Sequence, residues 1–208
     1  MMLTKSRYRQ SYFSCFTILL LSGTGITAQT KGGIENYSTL RKGGASVWMP
    51  VIHYRNKKAL YAELRYNYEA LNTGSLYAGR NFSGGKGLKY SITPMAGLVF
   101  GEYNGGSAAM NTELEYNKLA FSSQLQYTIS KDKLQDDFFY NWSELYWQAF
   151  EWMYAGLSVQ QTKLKNKRLS SEPGFLIGFE IKKLTIPLYI FSPLSSDRNL
   201  IIGLNIDW

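Results

Sequence analysis

Apolar and polar residues alternate with a period of two along most of this chain, and that pattern restricts it to β-structure. In 60–69, Leu60, Ala62, Leu64, Tyr66 and Tyr68 share one face, and Tyr61, Glu63, Arg65, Asn67 and Glu69 share the other. In 88–100 the apolar face is Leu88, Tyr90, Ile92, Pro94, Ala96, Leu98 and Phe100, opposite Lys89, Ser91 and Thr93. In 108–117 Met110, Leu114 and Tyr116 oppose Asn111, Glu113 and Glu115, and in 119–129 Phe121, Leu125, Tyr127 and Ile129 oppose Ser122, Gln124 and Gln126. Successive side chains of a strand point to opposite faces, so strict alternation reads as strand. No 3.6-residue stripe of similar length competes with it.

Eleven such segments are clear: 45–54, 58–69, 74–82, 88–100, 107–116, 119–129, 136–147, 152–162, 173–181, 184–191 and 199–208. A weaker twelfth lies at 33–41, followed by Arg41-Lys42-Gly43-Gly44. Short connections are expected at 55–57, 83–87, 117–118, 182–183 and near 148–151, and longer ones at 102–106, 130–136, 163–174 and 192–199. Pro50, Pro94 and Pro187 fall within strands, and each removes a ladder donor, so local irregularity is expected there. The phase breaks around Trp142–Leu145, which suggests a bulge.

Upstream of the strands, Lys5, Arg7 and Arg9 precede an uncharged stretch from Tyr12 to Ala28 with Phe16–Leu21 at its apolar centre. Ile26-Thr27-Ala28 before Gln29 suits signal peptidase, so 1–28 reads as a secretory signal and 29–208 as the exported domain. One Cys, inside that signal, and one His leave no disulfide, cysteine cluster or multi-histidine metal site. No cofactor is expected. The chain carries a formal charge of +8, modest for 208 residues, and with an export signal nothing points to nucleic acid as a partner.

Three features separate a membrane barrel from a soluble sandwich. Aromatics on the apolar faces sit near strand ends, with Ala, Leu, Ile, Met and Thr in the centres. Connections alternate short and long. The chain ends Leu200, Ile202, Leu204, Ile206, Trp208, one apolar face closing on an aromatic. In these respects 33–208 resembles bacterial outer-membrane β-barrels as a class, without the signature of a subfamily. The resemblance implies a single closed antiparallel up-and-down transmembrane barrel in the outer membrane. Its strand number is even, twelve here, or ten if 74–82 or 33–41 is irregular. It also implies that Leu204, Ile206 and Trp208 form the β-signal read by the insertion machinery. Closure follows from physics, because an unpaired backbone group in lipid costs several kcal/mol.

The expected interior carries Glu63, Glu69, Glu113, Glu115, Glu180 and Asp207 against Arg65 and Lys89, with Asn67, Asn111, Gln124, Gln126, Gln160 and Asn205 between them. Such a lining suits a hydrated, cation-favouring channel or transport-related barrel for small solutes. It equally suits a lumen closed by salt bridges in a structural, adhesive or envelope-assembly barrel. An envelope-lipid hydrolase is a distant third: His53-Tyr54-Arg55 lacks the His-x-Ser of barrel hydrolases, and no other catalytic motif stands out. Lys163, Lys165, Lys167 and Arg168 are the densest basic group, placed in an outer loop where they could contact lipopolysaccharide phosphates.

Overall fold

The computed structural model describes residues 30–41 and 45–208. The expected signal, 1–28, and Lys42-Gly43-Gly44 of the first connection lie outside the described residues. The strands are β1 (Lys31–Arg41), β2 (Val47–Arg55), β3 (Leu60–Tyr66), β4 (Thr73–Arg80), β5 (Phe82–Gly84), β6 (Leu88–Gly101), β7 (Gly105–Tyr116), β8 (Leu119–Ser130), β9 (Phe138–Phe150), β10 (Met153–Leu164), β11 (Ser170–Ile181), β12 (Leu184–Phe191) and β13 (Asn199–Asp207). Twelve form a closed antiparallel barrel, and the three-residue β5 stands outside that count. The ring closes where β1 meets β13, from Gly33↔Asp207 to Arg41↔Asn199. Of the two uncertain segments, 33–41 lies within β1, and 74–82 runs along β4 to Arg80, is interrupted at Asn81 and enters β5 at Phe82.

The prolines act as expected, and the reason is visible in the ladders. β4 and β5 pair with β6 in one register, Gly79↔Met95 and Phe82↔Ile92, interrupted where Pro94 offers no N–H. Asn81 repairs that gap by donating Nδ2 to Ser91 Oγ (2.9 Å) and Thr93 Oγ1 (2.8 Å). β12 and β13 lose their pairing between Thr185 and Leu188, around Pro187. Pairing of β2 with β3 stops at Val51↔Arg65, next to Pro50.

Connections alternate as expected. At one end, the turn end, lie 56–59, 85–87, 117–118, 151–152 and 182–183, together with Lys31 and Trp208. At the other, the loop end, lie 67–72, 102–104, 131–137, 165–169 and 192–198. Two loops are shorter than the sequence suggested. β10 and β11 stay paired out to Thr162↔Ser170, although Ser170-Ser171-Glu172 do not alternate, so 163–174 contracts to 165–169. β6 and β7 likewise pair to Val99↔Gly105.

Outward faces are apolar. Ile52, Leu64, Leu76, Leu98, Leu125, Leu145 and Leu157 are exposed there, with Trp48, Tyr66, Phe100 and Tyr127 toward the loop end and Tyr54, Tyr90, Tyr116 and Trp147 toward the turn end. That is the girdle arrangement of a barrel in lipid. Tyr68 departs from it. β3 stops at Tyr66, Asn67 adopts a left-handed backbone (φ 57°), and the phase is lost, so Tyr68 points inside. Asn67, expected inside, instead donates Nδ2 to Trp48 O (3.0 Å) and accepts from Asn72 N (2.7 Å).

The bulge expected at Trp142–Leu145 is absent. β9 is unbroken there, and the register shift comes at Met153/Tyr154 beside the turn. The apparent phase break arises because polar Asn141 and Ser143 lie outside while Trp142 lies inside. Outside, Ser123, Asn141, Ser143 and Gln161 satisfy one another through hydrogen bonds of 3.0–3.1 Å.

Part of the interior is apolar. Tyr37, Trp142, Tyr154, Leu176, Tyr189, Phe191 and Ile201 are buried together inside β1 and β9–β13. Polar inward residues concentrate on β2–β8. The lumen therefore has an aromatic side and a polar side.

Candidate functional site

The two sides of the interior meet in a central tier. On the polar side Arg65 of β3 is buried. It donates Nε to Glu63, lies 3.8 Å from Glu69 Oε1 through Nη1, and donates Nη1 to Gln126 Oε1 on β8 (2.9 Å). Its guanidinium sits 4.6 and 4.5 Å from the ring centres of Tyr68 and Tyr77. Glu63 also accepts from Tyr61 Oη and from Asn111 Nδ2 (3.3 Å). Glu69 accepts from Ser75 Oγ (2.9 Å) and Tyr77 Oη (3.0 Å). Tyr68 donates its hydroxyl to Gln124 across the interior. Each buried charge thus has partners, the condition under which burial is tolerable.

On the aromatic side the Trp142 ring lies 5.3 Å from Tyr37, 5.0 Å from Tyr189 and 5.9 Å from Phe191. Its Nε1 donates to Ser158 Oγ at 2.9 Å. β1 and β9 lie far apart around the ring, so the Tyr37–Trp142 contact spans the lumen. The neighbouring glycines make room: a Cβ on Gly178 would lie 1.9 Å from the Tyr154 ring, and one on Gly97 2.5 Å from Tyr77.

Space opens on both sides of this tier. Toward the loop end a cavity of about 500 Å³ is lined by Tyr68, Glu69, Glu102, Tyr103, Gln126, Asp136, Phe138 and Tyr140. Toward the turn end a vestibule of about 670 Å³ is lined by Lys31, Glu35, His53, Arg55, Tyr61, Asn111, Glu113, Gln124 and Asp207. Beside it a mouth of about 790 Å³ holds Lys89, Glu113, Glu115, Tyr146 and Glu180. A recess of about 170 Å³ reaches from the vestibule to the aromatic side. A further concavity of about 810 Å³ lies on the outer wall between Phe121, Leu157, Phe175 and Leu194, and it belongs to the lipid-facing surface.

The sequence-derived residues are therefore split. Glu63, Arg65, Glu69 and Gln124 belong to the central tier. Glu113, Glu115, Lys89, Glu180 and Asp207 belong to the turn-end mouth, where Lys89 Nζ and Glu115 Oε1 are 2.9 Å apart. Alternation missed Glu35 on β1 and Glu144 on β9. In β1, Asn36 and Ser38 on the other face blur the phase, and in β9 Trp142 and Tyr146 share the inner face with the acid. It also missed the surroundings of His53, whose Nδ1 lies 3.4 Å from Glu35 Oε1 and Nε2 3.6 Å from Asp207 Oδ1. Two carboxylates thus occupy both ring nitrogens. Among the described residues no three His, Cys, Asp or Glu side chains converge as a metal shell would require.

Lys163 lies in β10, and Lys165, Lys167 and Arg168 lie in the following loop. Lys165 is engaged: its Nζ is 3.1 Å from Asp137 Oδ2. The Ser130 backbone N–H (3.0 Å) and Lys165 hold the Asp137 carboxyl below its usual range, and Asp137 in turn raises Lys165. β13 presents Leu204 and Ile206 outward, and Trp208 continues that face. The Trp208 backbone exchanges hydrogen bonds with Gly32 (2.9 and 3.0 Å), which ties down the final aromatic.

No family profile matches the sequence, and no curated protein matches it either. Solved structures do match in shape. The KdgM porin superposes with a TM-score of 0.61 at 10% identity, covering 84% of this chain and 98% of that one. KdgM porin in complex with disordered oligogalacturonate gives 0.60 at 10% identity over 85% and 98%. The NanC porin gives 0.56 at 10% identity over 83% and 98%. At such identities the likeness is one of architecture: this chain has the fold of bacterial outer-membrane porin barrels.

Proposed function

We infer that the protein is an integral outer-membrane barrel that passes small polar solutes and favours cations, with the turn end in the periplasm. The observation that carries this reading is the charge of the inner wall. Glu35, Glu63, Glu69, Glu113, Glu115, Glu144, Glu180 and Asp207 face Lys31, Arg55, Arg65, Lys89 and Lys183, and water-accessible space lies on both sides of the central tier. An excess of fixed carboxylates lowers the energy of a cation in a narrow pore and raises that of an anion. The porin architecture supports a channel. The acid excess sets this lumen against a polyanion such as the oligogalacturonate named with KdgM. Trp208 with Leu204 and Ile206 would engage the insertion machinery, and Lys163, Lys167 and Arg168 would meet lipopolysaccharide phosphates at the outer surface.

The contacts across the central tier favour a second reading, a barrel that does not conduct. Eight strands are filled by side chains and sixteen or more leave a channel, so twelve leaves either outcome physically open. Planar-bilayer recording decides between them. The channel reading predicts a small conductance that rises several-fold in Tyr68→Ala, because Tyr68 bridges to Gln124 across the interior. Silent bilayers for both proteins would leave the non-conducting barrel.

A further inference from the structure

The recess of about 170 Å³ behind the vestibule is unlike the rest of the lumen in its chemistry. Glu35, Glu113 and Glu144 line it, on three different strands, and among the described residues no Lys, Arg or His does, His53 reaching Glu35 Oε1 only from the vestibule side, through Nδ1 at 3.4 Å. Glu144 has a weak neighbour in Ser122 Oγ, at 3.5 Å. The amides add acceptors. Asn205 donates Nδ2 to Tyr37 Oη (3.1 Å), whose own proton goes to Glu35 Oε2 (2.9 Å), and this relay fixes the amide with Oδ1 left over. Asn205 Oδ1 is buried and without a donor, and so is Asn111 Oδ1 in the adjoining vestibule, where the Nδ2 of Asn111 is given to Glu63. Buried acceptors of this kind cost free energy until a donor arrives. The remaining walls are the rings of Tyr37, Trp142, Tyr146, Tyr154 and Tyr189.

The geometry points to a binding subsite for an amine-bearing small organic cation, seated between Glu144, Glu113 and Glu35 with its carbon skeleton against the rings. An ammonium brings three donors and no acceptor, the complement of carboxylates and unfilled amide oxygens. Aromatic faces attract the same charge, best from Trp. A bare divalent ion fits less well, since the three carboxylates do not converge. At ~30 Å³ per water in the liquid, the recess has room for about six non-hydrogen atoms, the size of a short diamine. This subsite rests on the cation-favouring lumen proposed above and names the solute class it takes.

Titration of the purified, folded barrel in detergent with 1,4-diaminobutane, followed by tryptophan fluorescence and calorimetry, tests it. The controls are 1,4-butanediol and succinate, which keep the chain length and remove or reverse the charge. Saturable binding of the diamine alone, weakened at least ten-fold in Glu144→Gln and in Glu113→Gln, supports the subsite. Equal binding of the diol, or an unchanged affinity in both variants, overturns it. Bilayer conductance in KCl is recorded on the same preparation. Conductance without diamine binding removes the subsite and leaves the channel, whereas binding without conductance keeps the subsite and removes the channel.

Discussion

Arg65 and Leu64 are neighbours in sequence, yet the barrel asks opposite things of them. Leu64 is 46% exposed on the outer face, at mid-strand, and Leu64→Arg is expected to cost about 2–4 kcal/mol in a urea-unfolding titration from lipid vesicles. Arg65 is 3% exposed and holds Glu63 and Glu69 in place. Arg65→Met strands two buried carboxylates, a loss of about 3–5 kcal/mol, so it should destabilise the barrel at least as much as the lipid-facing change. Gly178→Ala is a third case, because its Cβ would enter the Tyr154 ring. Overpacking of this kind costs about 1–3 kcal/mol, and a lowered unfolding midpoint would register it. The faces of Glu63, Leu64 and Arg65 were readable from alternation alone. The partners of Arg65 were not, since Gln126 is sixty-one residues away and nothing local signals that β8 reaches β3 across the interior.

At the level of strands and loops, the sequence was legible wherever one face was apolar and the other polar. It failed where that contrast reversed. In β9 an inward Trp142 between outward Asn141 and Ser143 mimics a bulge. β12, Leu184–Phe191, has the bounds expected from the sequence although it is largely apolar on both faces, its inner side packing into the aromatic cluster. The loops expected at 102–106 and 163–174 are shorter because hydrogen-bonded strands extend beyond their alternating portions, whereas 67–72 is longer because β3 ends at Tyr66. The loops 131–137 and 165–169 are joined by Asp137 and Lys165. Because Asp137 titrates lower when folded, its contribution is present above the ordinary carboxylate range and lost as pH falls through the depressed value. Lys165, raised when folded, contributes fully below its ordinary range and loses this only as pH rises through the raised value. Hydrogen-exchange protection at the Ser130 amide should therefore hold across neutral pH and fall only below about pH 4. In Asp137→Asn it should be reduced throughout; a wild-type loss near neutrality would contradict the assignment.

For the whole molecule, strand number, closure and the alternation of turns and loops follow from pattern and from the cost of an open edge in lipid. The filling of the lumen does not, because it depends on which strands face one another across the ring. The Tyr37–Trp142 contact and the Tyr68–Gln124 bridge have no signature in either segment. What the sequence did carry to this scale is the sign of the inner charge, to which the structure adds Glu35 and Glu144 on one side and Lys31, Arg55 and Lys183 on the other. The reversal potential across a planar bilayer under a KCl gradient tests that sign most directly. The account predicts a cation-selective potential that shrinks when Glu113 and Glu115 are both changed to Gln. An anion-selective potential, or a conducting pore with no selectivity, would contradict it.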